Sequence, residues 1–375
     1  MMRFLRRHAW WLVPLIVVDV LFFRWLMSRP AGDETEEAAS DPTEAQRMSE
    51  PRKPLYMFYT YPTDQRDLWN TESAEVYQPT ASGRVESALF GTTRTRSFGG
   101  RLLPAFHMGI DIASLQRDRR NRPMDEIYAV ADGHVAYINA VAGNSNYGIY
   151  VVLTHDDPVG EIYTLYSHLA RVESGLRTGQ PVARGDVLGV MGNTSSTGGI
   201  PWSRAHLHFE IGVIMNRRFD RWYRAQKLVP DHGAWHGHNL TGIDPLALYG
   251  ERRGPAETIR FSLRDYLRDA APAFSLLFEV TKPMDYFTRY PALWEGPPPT
   301  RGPLTMVMTV TEGGVPMRGR AATAAEAEGL KRGTVHVLAA DDEVLGRNGR
   351  RLVVRRGDVW TLGQSGERWL EILTY

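Results

Sequence analysis

The chain has 375 residues, 43% of them hydrophobic and 23% charged, with a formal net charge of +1. That length allows two folded parts, and the near-neutral balance gives no electrostatic footing for a nucleic-acid partner. There is no cysteine, which excludes disulfides, thiolate metal sites, cysteine nucleophiles and a lipid-modified cysteine anchor, so any metal must be held by His, Asp or Glu.

Arg3, Arg6 and Arg7 precede an apolar run over residues 9–23, and Trp10, Trp11 and Trp25 lie near its ends. Positive charge before the run and Asp33, Glu34, Glu36, Glu37, Asp41 and Glu44 after it predict a cytoplasmic tail over 1–7 and a transmembrane signal anchor over 8–26. Asp19 and Pro14 are costly inside such a helix, and a cleaved signal peptide is the alternative. Residues 27–54 are polar, acidic and rich in Pro and Ala, and read as a disordered tether.

Residues 76–87 read as a strand, a turn and a second strand. Within 106–112, His107 and Asp111 are four apart, which puts them on one face, and Gly109, Ile110 and Ile112 favour a strand. An arginine-rich loop follows over 115–124. Residues 127–131 and 134–138 flank Asp132 and Gly133, a hairpin signal. Further short strands are expected at 148–154, 161–169, 179–182 and 184–192. Residues 205–212 then alternate cleanly, with Leu207, Phe209 and Ile211 on one face and His206, His208 and Glu210 on the other. Short strands with glycine turns predict a mainly β fold, an antiparallel sheet or sandwich.

The residue types carry chemistry. His107, Asp111 and His208 would give two nitrogens and one oxygen, a three-ligand catalytic zinc set that leaves a fourth position for water. His168 and His206 would remain as uncoordinated imidazoles able to take a proton and return it to a leaving amine. No His-Glu-x-x-His motif is present, so a helical metalloprotease site is not expected. Glu210 shares the histidine face, either orienting an imidazole or forming a surface ion pair.

Residues 76–249 resemble the lysostaphin-type zinc endopeptidases, the LytM domain with its duplicated hybrid motif fold. The matching pieces are His107-Met-Gly-Ile-Asp111, Tyr128-Ala-Val-Ala-Asp-Gly133, Leu165-Tyr-Ser-His168-Leu169, Gly179-Gln-Pro-Val182, Arg184-Gly-Asp-Val-Leu-Gly189 and His206-Leu-His208-Phe-Glu210, in matching order and rough spacing. The resemblance implies cleavage of peptide bonds in bacterial cell-wall peptidoglycan, with Zn2+ bound by His107, Asp111 and His208 and with His168 and His206 assisting catalysis. Some relatives have lost ligands and only activate other wall hydrolases; every ligand position is filled here. A regulatory module that recruits or activates another hydrolase is the alternative.

Three stretches depart from the family pattern: the loop after Asp111, the long loop over 195–205 and an insertion over 215–242. The insertion holds Arg217, Arg218, Phe219, Arg221, Trp222, Tyr223 and Arg224, and a histidine cluster of His232, His236 and His238 that reads as a flexible loop. Beyond residue 250 an amphipathic helix is expected at 258–269 and a short helix at 321–330. Strands are expected at 304–310, 334–339, 351–354, 359–362 and 369–373. The expected organisation is a LytM-like metallopeptidase domain over 55–250 and a β-rich accessory domain over 251–375. The implied partners are peptidoglycan, the membrane through the amino-terminal helix, and a cell-wall or divisome protein. The implied location is the cell envelope, with the catalytic domain outside the cytoplasm.

Overall fold

The computed structural model describes residues 55–98, 101–196, 198–254, 258–299, 302–347 and 349–375. The expected tail, anchor and tether over 1–54 lie outside the described residues. Among the described residues no helix is long and apolar enough to cross a membrane.

The strands, in chain order, are β1 (Met57–Tyr59), β2 (Thr93–Phe98), β3 (Arg101–Phe106), β4 (Ile110–Ala113), β5 (Glu126–Tyr128), β6 (Gly133–Asn139), β7 (Ile149–Asp157), β8 (Gly160–Val172), β9 (Pro181–Val182), β10 (Val187–Met191), β11 (His206–Ile214) and β12 (Leu240–Ile243). They continue as β13 (Ile259–Phe261), β14 (Phe274–Val280), β15 (Trp294–Glu295), β16 (Leu304–Val310), β17 (Pro316–Ala321), β18 (Val335–Ala340), β19 (Val353–Arg356) and β20 (Val359–Leu362). A nine-stranded antiparallel sheet runs β12-β11-β8-β7-β6-β9, with β4 on β11 and with β10 bridging β5 and β8. A five-stranded sheet, β15-β17-β16-β14-β18, lies beyond it in sequence.

Alternation explains how β11 is used. Leu207, Phe209, Ile211 and Val213 enter the main hydrophobic core, which runs from Tyr59 to Leu373. The opposite face of β11 is buried as well, with His206 and His208 keeping 8% and 6% of their surface exposed. The polar face is therefore largely covered rather than freely solvated. A second apolar cluster on that side gathers Tyr150, Val152, Tyr163, Leu165, Ile214 and Leu240.

β8 changes hands partway along. Ile162 and Tyr166 point into the main core, and Tyr163 and Leu165 into the second cluster. Leu169 then returns to the main core, against the parity. The break is at His168, whose φ is +62°. There Ile149 pairs with Leu169 but Val151 with Tyr166, so β8 carries one extra residue. This is a bulge that re-aims the side chains after it.

Several local expectations are corrected. Residues 76–87 do not make two strands: Tyr77 forms a single bridge to Ile112, and Val85–Ala88 is a 3-10 turn, because Pro79 and Gly83 interrupt pairing. No hairpin forms across Asp132 and Gly133, because β5 pairs with β10 while β6 pairs with β7 and β9. The helix expected at 258–269 is β13 followed by a shorter helix, Leu263–Asp269, whose N-cap Ser262 Oγ accepts from Asp265 N. The helix expected at 321–330 shrinks to Ala324–Ala327, closed by a capping box of Thr323 and Glu326. The strand expected at 369–373 is part of a helix, Gln364–Thr374, that buries Trp369, Leu370, Ile372 and Leu373 at helical spacing.

The described residues form one compact unit. Polar links stitch the carboxyl-terminal residues to the nine-stranded sheet: Leu263 N donates to Asp157 Oδ2 at 2.9 Å, Tyr290 OH to Glu161 O at 2.7 Å and Asn216 Nδ2 to Ile372 O at 2.7 Å.

Candidate metal centre

β4 and β11 place the centre. Asp111 is the direct cross-strand partner of His208, so their side chains rise together from one face. His107 lies not in a strand but in the turn between β3 and β4. That turn crosses β11 so closely that a Cβ on Gly109 would stand 2.1 Å from Phe209 O, which only glycine permits.

The three donor atoms form a near-equilateral triangle. His107 Nε2 is 3.1 Å from Asp111 Oδ1 and 3.0 Å from His208 Nδ1, and His208 Nδ1 is 2.9 Å from Asp111 Oδ1. The outer atoms are committed elsewhere. His107 Nδ1 is 2.8 Å from Leu89 O, and His208 Nε2 is 2.8 Å from Glu210 Oε1. His107 thus donates outward and turns a lone pair inward, and His208 donates outward and does the same once its inward nitrogen has shed its proton. One proton can satisfy only part of three converging lone pairs; one cation satisfies all of them. Donors bound tetrahedrally to Zn2+ at about 2.0–2.1 Å would stand roughly 3.3 Å apart, so this donor set fits that ion. Among the described residues, His107, Asp111 and His208 are the only group of three or more such ligands gathered closely enough to hold a metal.

Burial sets the charges. His107 and Asp111 are 4% and 2% exposed. Burial pushes the His107 imidazole down to about 4, so it is neutral. Burial opposes ionisation of Asp111, but the Arg94 guanidinium beside it outweighs that and holds the carboxylate well below its ordinary range. Burial also pushes His208 down, but its hydrogen bonds to Asp111 and Glu210 prevail and hold it up at about 9.

His168 and His206 stand beside the triangle with ring centroids 4.9 Å apart. His168 Nδ1 lies 2.8 Å from Thr194 O, and His206 Nδ1 lies 2.7 Å from Arg204 O. Both rings therefore donate through Nδ1 and leave Nε2 as an acceptor. His206 Nε2 is 3.5 Å from Asp111 Oδ2. Burial lowers both, with neighbouring imidazoles adding to the shift at His168, so they stay unprotonated and available as bases.

The structure brings all five sequence-predicted residues together. It also resolves Glu210 as an orienting partner, fully buried rather than paired at the surface. Sequence reasoning missed Arg94 of β2, whose Nη2 holds Asp111 Oδ2 at 2.6 Å and whose Nε donates to Ser87 O at 2.8 Å. In the run Thr93-Arg94-Thr95-Arg96 nothing marks Arg94 over its neighbour. Tyr147 and Tyr163, which donate to Glu210 at 2.7 and 2.9 Å, were missed as well.

The histidine-rich insertion is built differently from the expected loop. His232 is buried, with Nδ1 3.0 Å from Tyr137 OH and Nε2 3.1 Å from Asn144 O. His236 stacks on Phe219 and accepts from His238 N at 3.1 Å. The helix Phe219–Ala225 turns Phe219 and Trp222 inward.

Residues 105–220 match the profile of peptidase family M23. Among solved structures, the chain is similar to a zinc containing peptidase from Vibrio cholerae at 25% identity, with a TM-score of 0.27, covering 41% of this chain and 36% of that one. It is similar to Helicobacter pylori Csd3 at 18% identity, with a TM-score of 0.28, covering 52% of this chain and 34% of that one. It is also similar to the catalytic domain of the antimicrobial peptidase lysostaphin from Staphylococcus simulans at 22% identity, with a TM-score of 0.24, covering 33% of this chain and 77% of that one. The chain spans about a third of the length of the first two. This chain carries a domain of peptidase family M23.

Proposed function

We propose that the chain is a zinc-dependent endopeptidase that hydrolyses peptide bonds in bacterial peptidoglycan. The observation that carries this reading is the convergence of His107 Nε2, Asp111 Oδ1 and His208 Nδ1 on one point, with both outer imidazole nitrogens already spent. These residues would hold Zn2+, which when bound supplies Lewis acidity toward a water and a peptide carbonyl. His168 and His206 keep Nε2 free to accept a proton from the attacking water and to return it to the leaving amine. The backbone carbonyls of Thr194 and Arg204 fix the tautomers that make this possible. Arg94 keeps Asp111 ionised and stops its second oxygen from turning away.

In this reading residues 55–250 form the catalytic part and 251–375 an accessory part that shares its core. Residues 8–26 hold the enzyme at the cytoplasmic membrane with its catalytic part outside, in the cell envelope. The test is incubation of the zinc-loaded protein with purified peptidoglycan, with and without a chelator, and mass spectrometry of the released fragments. New amino and carboxyl ends that disappear with the chelator are expected. Tight zinc binding with no new ends would overturn the enzyme and favour a regulatory module acting on another hydrolase.

A further inference from the structure

One short segment touches both halves of the site. Tyr147 donates its phenol to Glu210 Oε1, the same oxygen that accepts from His208 Nε2. Its ring lies 5.7 Å from the His208 ring at 36°. Its carbonyl oxygen accepts from His168 N and from Ser167 Oγ, each at 2.9 Å. Those two bonds brace the bulge whose left-handed residue is His168. A non-glycine residue in that region is strained and persists only where its surroundings hold it.

The segment is itself locked to the loop behind His168. Gly148 has φ +64°, and a Cβ there would stand 2.2 Å from Thr194 O, the atom that accepts from His168 Nδ1. Ile149 N donates to Thr194 Oγ1 at 2.9 Å. Tyr147 is thus fixed at its backbone to the base and at its phenol to the carboxylate behind a ligand.

We propose that Tyr147 is a positioning residue that couples the metal-binding half of the site to its base, setting Glu210 and His208 through its phenol and His168 through its carbonyl. The inference rests on the reading of His107, Asp111 and His208 as zinc ligands. Partners behind a ligating histidine are commonly worth about 10–100-fold in metal affinity or activity.

The test is zinc affinity, by competition with a chromophoric chelator, for the full chain, Tyr147→Phe, Glu210→Gln and the double variant. Tyr147→Phe keeps the ring and the backbone bonds and loses only the phenol oxygen. It should bind zinc about tenfold more weakly, and the double variant should bind no more weakly than Glu210→Gln alone, since both changes break one link. Because the phenol also pins the segment whose carbonyl braces the bulge, its loss should shift the nitrogen resonances of the His168 ring in Tyr147→Phe. A parent chain that binds no zinc overturns the ligand reading, and this proposal with it. A parent that binds zinc overturns this proposal alone if Tyr147→Phe binds it equally tightly, if the two losses add, or if the His168 resonances stay where they were.

Discussion

At the residue scale the centre is a problem of where protons sit. Without a cation, the carboxylates of Asp111 and Glu210 draw a proton onto His208 and hold its pKa at about 9. A ligand nitrogen must shed that proton, so zinc and proton compete for one atom. His107, pushed down to about 4 by burial, and the already ionised Asp111 contribute no proton near neutrality. The expected result is an apparent zinc affinity that rises about tenfold per pH unit up to about pH 9 and flattens above it. Titration calorimetry in buffers of different ionisation enthalpy should count one proton released per zinc at pH 7. A pH-independent affinity would remove His208 as a protonated ligand precursor. This scale is also where the sequence was most and least legible. The alternation of 205–212 put His206, His208 and Glu210 on one face. It could not place His168, because even-numbered residues of β8 face the core until the bulge reverses them. That reversal is a backbone event, and although histidine tolerates a positive φ better than most non-glycine residues, a single histidine does not announce a bulge.

At the scale of elements, the centre depends on how closely the β3–β4 turn crosses β11. The 2.1 Å gap between a Cβ on Gly109 and Phe209 O leaves no room for one methyl group, since the Cβ position is fixed by its own backbone and the oxygen it meets is a backbone carbonyl that cannot rotate away. Gly109→Ala should therefore push His107 out of the donor triangle and destabilise the fold, by about 1–3 kcal/mol as overpacking of this kind costs. Denaturant titration measures the loss, and zinc affinity should fall with it. An alanine variant with parental stability and affinity would show that the turn has slack. Elements also explain the misreadings beyond the site. The run Trp369-Leu370-Glu371-Ile372-Leu373 reads as a buried strand because short apolar runs do not separate strand from helix. Its helix is visible only once the preceding residues from Gln364 extend the pattern. Asp132 and Gly133 carry a hairpin signature, yet Asp132 Oδ1 accepts from Arg184 N at 2.7 Å, a long-range partner that local turn chemistry cannot announce.

At the scale of the molecule, the residues after 250 complete the core of those before it. Leu263, Phe274, Leu276, Tyr286, Tyr290 and Leu373 are buried in the same cluster as Phe209 and Ile211. Arg289 Nη2 donates to Ile214 O and Met215 O at 2.9 and 3.0 Å, capping the end of β11. Each fully buried Leu or Phe contributes about 1.5–3 kcal/mol, and a domain's net stability is only about 5–15 kcal/mol. A chain ending at Gly250 leaves the core partners of those side chains in water. It is expected to lose its cooperative thermal transition or to aggregate. A sharp melt with parental zinc affinity would show that the amino-terminal part closes its own core. Shared burial of this kind is invisible in the sequence, where residues 251–375 show strand and turn patterns but nothing that says which apolar face meets which.

The central claim is that three residues hold the metal and two neighbouring histidines do not. The most direct measurement is the zinc content of the dialysed full chain and of single alanine variants at five positions. One zinc per chain is expected in the parent, in His168→Ala and in His206→Ala, and none in His107→Ala, Asp111→Ala and His208→Ala. A parent without zinc, or a His208→Ala chain that keeps it, would contradict the account.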